Sequence, residues 1–153
     1  MIRTILEPED IFIEVEINQA EKECAIKKIS RLYSGKTGIN SEVLYKKFMD
    51  REALDSTGFG NGVAIPHAKI VNLKKPMIGI VKFSKLIEWD AIDGNLVNVV
   101  IPLIMPAEDE NNLHLKIISS FARKLAHKEF IEKLNTEMDI MKIYNYIIQE
   151  MGE

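Results

Sequence analysis

His67 is the residue best placed to do chemistry. It lies near the end of the stretch REALDSTGFGNGVAIPHAK, residues 51–69, in which Gly58, Gly60 and Gly62 form a short loop and residues 63–66 an apolar run. Glycine reaches backbone angles that a Cβ forbids, so such a loop can approach a ligand or a protein closely. A residue before proline is pushed towards extended geometry, so Ile65 is predicted to end a short strand, with His67 displayed just past it. Neutral imidazole is a good nucleophile near neutral pH, and its phosphoramidate leaves again easily, so one residue can accept and donate a phosphoryl group. A serine would hold its phosphate too stably for that. We read His67 as this nucleophile. The competing reading of a lone histidine is a packing role, which display after a glycine loop suits poorly.

Two further residues carry weaker signals. On a helical wheel His114 sits in the middle of the apolar stripe made by Ile118, Phe121 and Leu125. It points inward from the first turn of its helix, where free backbone amides and the positive end of the helix dipole favour an anion. The alternative is a buried histidine satisfied by a carbonyl. Arg51 follows the second helix and precedes the glycine loop, and its planar donors suit two phosphoryl oxygens at once. The alternative is a solvated arginine paired with Asp55 or Glu52. If its helix continued, His127 would face away from His114. It is therefore read as a surface residue, and the two cannot share a metal.

The segment TGFGNGVAIPHAK, residues 57–69, resembles the active-site signature of phosphotransferase-system (PTS) enzyme IIA proteins of the fructose/mannitol/nitrogen-regulatory type, and is most similar to the fructose type. Glycines, apolar strand, proline and histidine match together and in order, and the resemblance runs over nearly the whole chain. It implies that His67 takes phosphate from the phosphocarrier HPr and hands it to a sugar-specific enzyme IIB, with the membrane enzyme IIC reached only indirectly. It also implies that His114 and Arg51 stand beside His67. Thr57 and Asn61 are further phosphoryl-binding donors in the loop, and Phe59, where the family usually has an aliphatic residue, is tucked beneath it. The implied role is phosphoryl relay in sugar uptake, with fructose or a related hexose or hexitol as substrate class. The alternative is a nitrogen-type regulatory enzyme IIA, whose phosphohistidine is a switch read by other proteins. A hydrolase using His67 as base lacks any accompanying Ser or Cys nucleophile motif. Positioning and electrostatics carry such transfers, so neither a metal nor an organic cofactor is expected.

The elements that position these residues are legible as periodicities. Residues 11–17 alternate as a strand, and Asn18 with Glu21 suggests a capping box before a helix with the stripe Ala25, Ile26, Ile29, Leu32 and Tyr33. Gly35 and Gly38 are predicted to end it, and Ser41 to cap a second helix carrying Leu44 and Phe48. Residues 77–83 read as a strand, with a turn at Ser84–Lys85, a short strand over 86–89 and a turn at Asp93–Gly94. Residues 97–105 are almost wholly apolar and read as the central strand, in which Pro102 predicts a bulge or an early end to the pairing. A polar run from Glu108 to Asn112 leads to helices over about 113–126 and 128–134. Thr136 and Asp139 are candidate caps for a last helix with Ile140, Ile143, Tyr144, Ile147 and Met151 on one face. Together with the family resemblance this predicts one α/β domain over residues 1–153, a three-layer sandwich with one mixed sheet and helices on both faces.

Bulk properties set the outer limits. The 153 residues suffice for one core, and 46% hydrophobic with 28% charged residues is ordinary for a globular protein. A net charge of −3 without a basic run argues against nucleic acid. The single cysteine, Cys24, excludes an intrachain disulfide and a cysteine-rich metal site, and reads as an inert, partly buried thiol. With no signal-like or membrane-spanning run, the protein is predicted to be cytoplasmic.

Overall fold

The computed structural model describes residues 2–109 and 111–152, so Glu110 of the polar run lies outside the described residues. After two 3-10 turns, Ile2–Thr4 and Pro8–Asp10, the chain forms β1 (Ile11–Val15), α1 (Lys22–Thr37), α2 (Ser41–Leu54), β2 (Gly58–Gly60), β3 (Val63–Ala64) and β4 (His67–Ile70). It continues through β5 (Met77–Ile78), β6 (Ile80–Ile87), β7 (Val97–Val100), β8 (Leu103–Pro106), α3 (Leu113–Leu125), α4 (Lys128–Thr136) and α5 (Ile140–Met151). Among the described residues no helix is long and apolar enough to cross a membrane.

The predicted single mixed sheet is two sheets. Five strands run in the order β1-β6-β7-β3-β2 and three in the order β4-β8-β5, each with parallel and antiparallel pairs. The division falls at two prolines. The parallel neighbours β3 and β7 reach Ile65–Pro66 and Ile101–Pro102 side by side, then resume as β4 and β8 in the second sheet, with His67 opposite Leu103. Proline has no N–H to give the ladder. Here the Ile101 N–H donates to the Ala64 carbonyl at 2.8 Å and the Leu103 N–H to the Pro66 carbonyl at 2.9 Å, so the two ribbons stay joined through the step. The early end to pairing expected at Pro102 is therefore present, and β7 is indeed central to the larger sheet.

Successive strand residues face opposite sides, and two cores follow from that alternation. Val63, Ile80, Val99 and Leu103 pack with Phe121, Phe130 and Ile147 of α3, α4 and α5. Ala64, Val81, Val100 and Ile104 pack with Ile26, Ile29, Leu44 and Phe48 of α1 and α2. Cys24 is half-buried beside this second core.

Several predicted boundaries move, each for a local reason. Asn18 does not cap α1; residues 20–22 pair instead with Glu88, whose N–H donates to the Ala20 carbonyl and whose carbonyl accepts from Lys22 N–H. Gly35 lies inside α1, and only Gly38, left-handed at φ 74°, ends it. The cap of α2 is Asn40 rather than Ser41, accepting the Glu42 N–H at 2.8 Å. No turn forms at Ser84–Lys85. The break comes at Gly79, beneath the Tyr33 hydroxyl, and β6 absorbs the irregular residues as a register shift between Lys82 and Ile87. Of the two caps proposed for the last helix, Asp139 serves, accepting the Lys142 N–H at 3.0 Å, while Thr136 belongs to α4. One inward lysine went unforeseen. Lys82, 4% exposed, donates to the Glu137 carbonyl at 2.6 Å at the end of α4. Burial lowers its pKa, partly offset by the Glu137 charge.

Candidate functional site

The proline step decides where His67 stands. It was predicted to lie past a strand; it is instead the first residue of β4, in register with Leu103. It shares a face with exposed Lys69, alternating with buried Ala68 and Ile70, so the ring is only partly covered. Its Nδ1 is buried without a hydrogen-bond partner. That leaves Nε2 as the accessible nitrogen.

Burial, then the charge of Arg51, lowers the His67 pKa to about 4; the Ile65 and Pro66 carbonyls oppose the shift, and His114 adds to it. The structure thus brings Arg51 and His114 into the electrostatic range of His67, and keeps its ring neutral at neutral pH. A linked stability effect follows. The unfolded chain binds a proton at this histidine near pH 6.5, but the folded chain does so only near pH 4. The contribution is intact above pH 6.5 and is lost as pH falls through that window, at up to about 1.4 kcal/mol per pH unit. Urea unfolding between pH 7 and 4 should therefore show a smaller acid loss in His67→Gln than in the wild type. Parallel curves would contradict a depressed pKa.

Arg51 sits in the last turn of α2, which packs on β4. It pairs with neither suggested carboxylate: Nη1 donates to the main-chain carbonyl of Asp55 at 2.7 Å, which anchors one arm of the guanidinium. Glu52 is turned inward and 7% exposed. It accepts from the Thr57 N–H at 3.1 Å and the Thr57 hydroxyl, and pairs with Lys22 of α1 at 3.0 Å. The Thr57 hydroxyl also accepts from the Trp89 indole at 3.3 Å. Thr57 is thus buried, its proton committed to Glu52, and this network ties the glycine loop to α1 and α2. Asn61 is exposed in a left-handed conformation; its N–H donates to Asp93 at 2.9 Å and its amide reaches the Leu125 carbonyl at 3.5 Å. Phe59 packs under the loop against the core. Gly58 has no room for a side chain, because a Cβ there would meet the Ala91 Cα at 2.7 Å.

His114 lies in the first turn of α3 with its side chain 12% exposed. The free amides expected there are taken. Asp109 accepts the Leu113 N–H at 2.9 Å and the His114 N–H at 3.0 Å, and also bonds the His114 Nδ1. Burial works to raise the Asp109 pKa, but the bonds from the His114 ring and the two amides win and hold it low. His127 is exposed at the start of α4, as predicted.

Sequence reasoning missed Glu52 and Asp109. Asp109 left a trace as an acidic residue just before a helix. Glu52 left none, since its partners are Lys22 and Thr57. Among the described residues no cluster of His, Cys, Asp or Glu could hold a metal ion.

The chain is similar to known proteins over nearly its whole length. Residues 4–150 match the family described as "Phosphoenolpyruvate-dependent sugar phosphotransferase system, EIIA 2". The chain is 33% identical over 138 residues to a nitrogen regulatory protein of Klebsiella oxytoca, covering 90% of this chain and 84% of that one. It is 44% identical over 84 residues to a fructose-like EIIA component of Escherichia coli, covering 55% of this chain and 56% of that one. The crystal structure of the nitrogen regulatory protein IIA-Ntr from Neisseria meningitidis superposes with a TM-score of 0.85 at 26% identity, covering 92% of this chain and 94% of that one.

Proposed function

The chain belongs to the EIIA 2 family of the phosphoenolpyruvate-dependent sugar phosphotransferase system, and from that premise we propose that His67 carries a phosphoryl group received from HPr and that other proteins read its loaded and empty forms as a switch. Phosphoryl transfer is the activity of the family. The regulatory role rests on coverage: the likeness to nitrogen regulatory proteins spans nearly the whole chain, whereas that to a fructose-like component spans about half. This reverses the order suggested by the glycine loop, which put the sugar carrier first. The carrier reading, with onward transfer to an enzyme IIB, retains the higher identity within the shorter segment.

The chemistry is the same in both roles. The lone pair on His67 Nε2 forms a bond to phosphorus as the donor's N–P bond breaks, and that electron pair returns to the donor nitrogen. A buried, neutral ring keeps this lone pair available. Arg51 offers its remaining guanidinium donors to the phosphoryl oxygens, and His114 meets the group from α3. Thr57 acts through the loop it anchors, and Asn61 contributes from the loop's exposed tip. The transfer takes place in the cytoplasm, where HPr is met.

The fate of the phosphoryl group tests the role. After loading with phosphoenolpyruvate, enzyme I and HPr, the phosphate should persist in the presence of each enzyme IIB of the same cell. The two forms should also bind a kinase or transcriptional regulator unequally. Rapid loss to an enzyme IIB, with sugar phosphate appearing once membranes and sugar are supplied, would replace the switch with the carrier.

A further inference from the structure

We propose that Asp109 is a positioning residue that fixes His114 in its Nδ1–H form, so that His114 can meet a phosphoryl group on His67 only as an imidazolium and takes up a proton at Nε2 when His67 is loaded. The inference rests on the phosphoryl-carrying role of His67. It begins with the carboxylate. Asp109 lies in the loop between β8 and α3 with its side chain 8% exposed, and three donors converge on it, the Leu113 and His114 amides and the His114 ring. An ionised carboxylate has no proton to give. The Nδ1 facing it must therefore be the donor, and in the neutral ring the lone pair falls on Nε2.

The rest of the first turn offers an anion nothing else. The Leu115 and Lys116 amides both donate to the Asn112 carbonyl, at 3.1 and 3.2 Å. With the two preceding amides spent on Asp109, the chain has supplied its own anion to this helix end. A phosphoryl group approaching from His67 therefore finds the ring of His114 and not its backbone. Phosphoryl oxygens only accept, so an unprotonated Nε2 would set lone pair against lone pair. Adding a proton from solvent at Nε2 gives a cation between two anions, Asp109 and the phosphoryl group. That proton is returned to solvent when the phosphoryl group leaves, and the P–N exchange itself moves none. The charged and titratable groups bearing on this arrangement are Asp109 from the loop, His67 from β4, and Arg51 from α2 acting on His67.

The test reads the rings directly. Protein labelled with ¹⁵N-histidine is titrated by two-bond ¹H–¹⁵N correlation, empty and after loading His67 with phosphoramidate. The empty wild type should show His114 as the Nδ1–H tautomer, and loading should raise the pKa of His114 by about 1–3 units, the range for an opposite charge at close quarters. In Asp109→Asn the amide oxygen can still accept the Leu113 N–H, while the amide nitrogen, in place of the other oxygen, gives up the His114 N–H bond and can donate to Nδ1. The neutral Nε2–H tautomer should then appear, and the pKa rise on loading should shrink. A merely structural role for Asp109 would leave the tautomer unchanged. An Nε2–H tautomer in the empty wild type, or an unchanged His114 pKa after loading, would overturn the inference, whether or not the variant folds. Failure of the wild type to load at His67 would instead sink the phosphoryl-carrying role, with the tautomer of the empty protein still there to judge Asp109.

Discussion

Replacing His67 with alanine is expected to abolish phosphoryl loading outright. Incubated with phosphoenolpyruvate, enzyme I and HPr, the wild type should gain one acid-labile phosphoryl group, and His67→Ala none. The other two histidines cannot substitute. His114 has Nδ1 bound to Asp109 and is mostly enclosed, and His127 stands exposed at the start of α4, without the burial that sets His67 apart. Nucleophilic transfer needs a lone pair at the reacting atom, and His67 supplies it because burial and the Arg51 charge keep its ring neutral. The fold should survive the change, since the residue is not fully buried and its Nδ1 makes no hydrogen bond that alanine would break. Undiminished labelling of a folded His67→Ala protein would end the assignment.

Removing the guanidinium of Arg51 should produce the second-largest effect, slowing loading by on the order of 10²-fold, the usual cost of one preorganised electrostatic contact. Two features make the contact preorganised. Arg51 sits in the last turn of α2, and one of its nitrogens is already held by the Asp55 carbonyl at 2.7 Å. The side chain therefore loses less freedom on meeting an anion than a mobile arginine would. Arg51→Lys should recover only part of the rate, because an ammonium cannot bind Asp55 and two phosphoryl oxygens with one planar fork. The expected signature is a slowed transfer rate measured by rapid quench, with unchanged thermal unfolding. A normal rate in folded Arg51→Ala would show that this charge takes no part in the transfer.

What could be read in the sequence was what local rules govern. The glycine loop, the apolar run into Ile65–Pro66 and the stripes of α1, α3 and α5 depend on residues within a few positions of one another, and they stand where expected. His67 was assigned to a displayed position and turned out to begin a strand, because its pairing partner Leu103 lies far along the chain. The same distance hid the division into two sheets. Pro102 announced a break, but nothing in either segment announces that Ile65–Pro66 and Ile101–Pro102 break side by side. The cap on α1 failed as an expectation for a related reason: a backbone partner, Glu88, took the place of the side chain. The alternative weighed for Arg51, a solvated pairing with Asp55 or Glu52, fails because adjacent helical residues point in different directions and Glu52 turns inward to Lys22. For α3, the left-handed Asn112 at φ 50° brings Asp109 back over the helix start, a bend that composition does not reveal.

The paired Ile–Pro corner limits how this chain can change in length. A residue inserted between Gly62 and His67 would shift β4 by one place against β8 and turn every side chain of β4 over, burying the imidazole and Lys69 while expelling Ala68 and Ile70. An insertion on the neighbouring ribbon, between Val99 and Leu103, would shift β8 instead and turn its own side chains over. Elsewhere the chain has slack: exposed Val71 and Asn72 begin the connection from β4 to β5, at the end of β4 away from His67, where added residues would loop into solvent. Descendants of this sequence can therefore lengthen freely at one end of β4 and scarcely at all at the other, so that the spacing from the last loop glycine to His67 is held as firmly as the histidine itself.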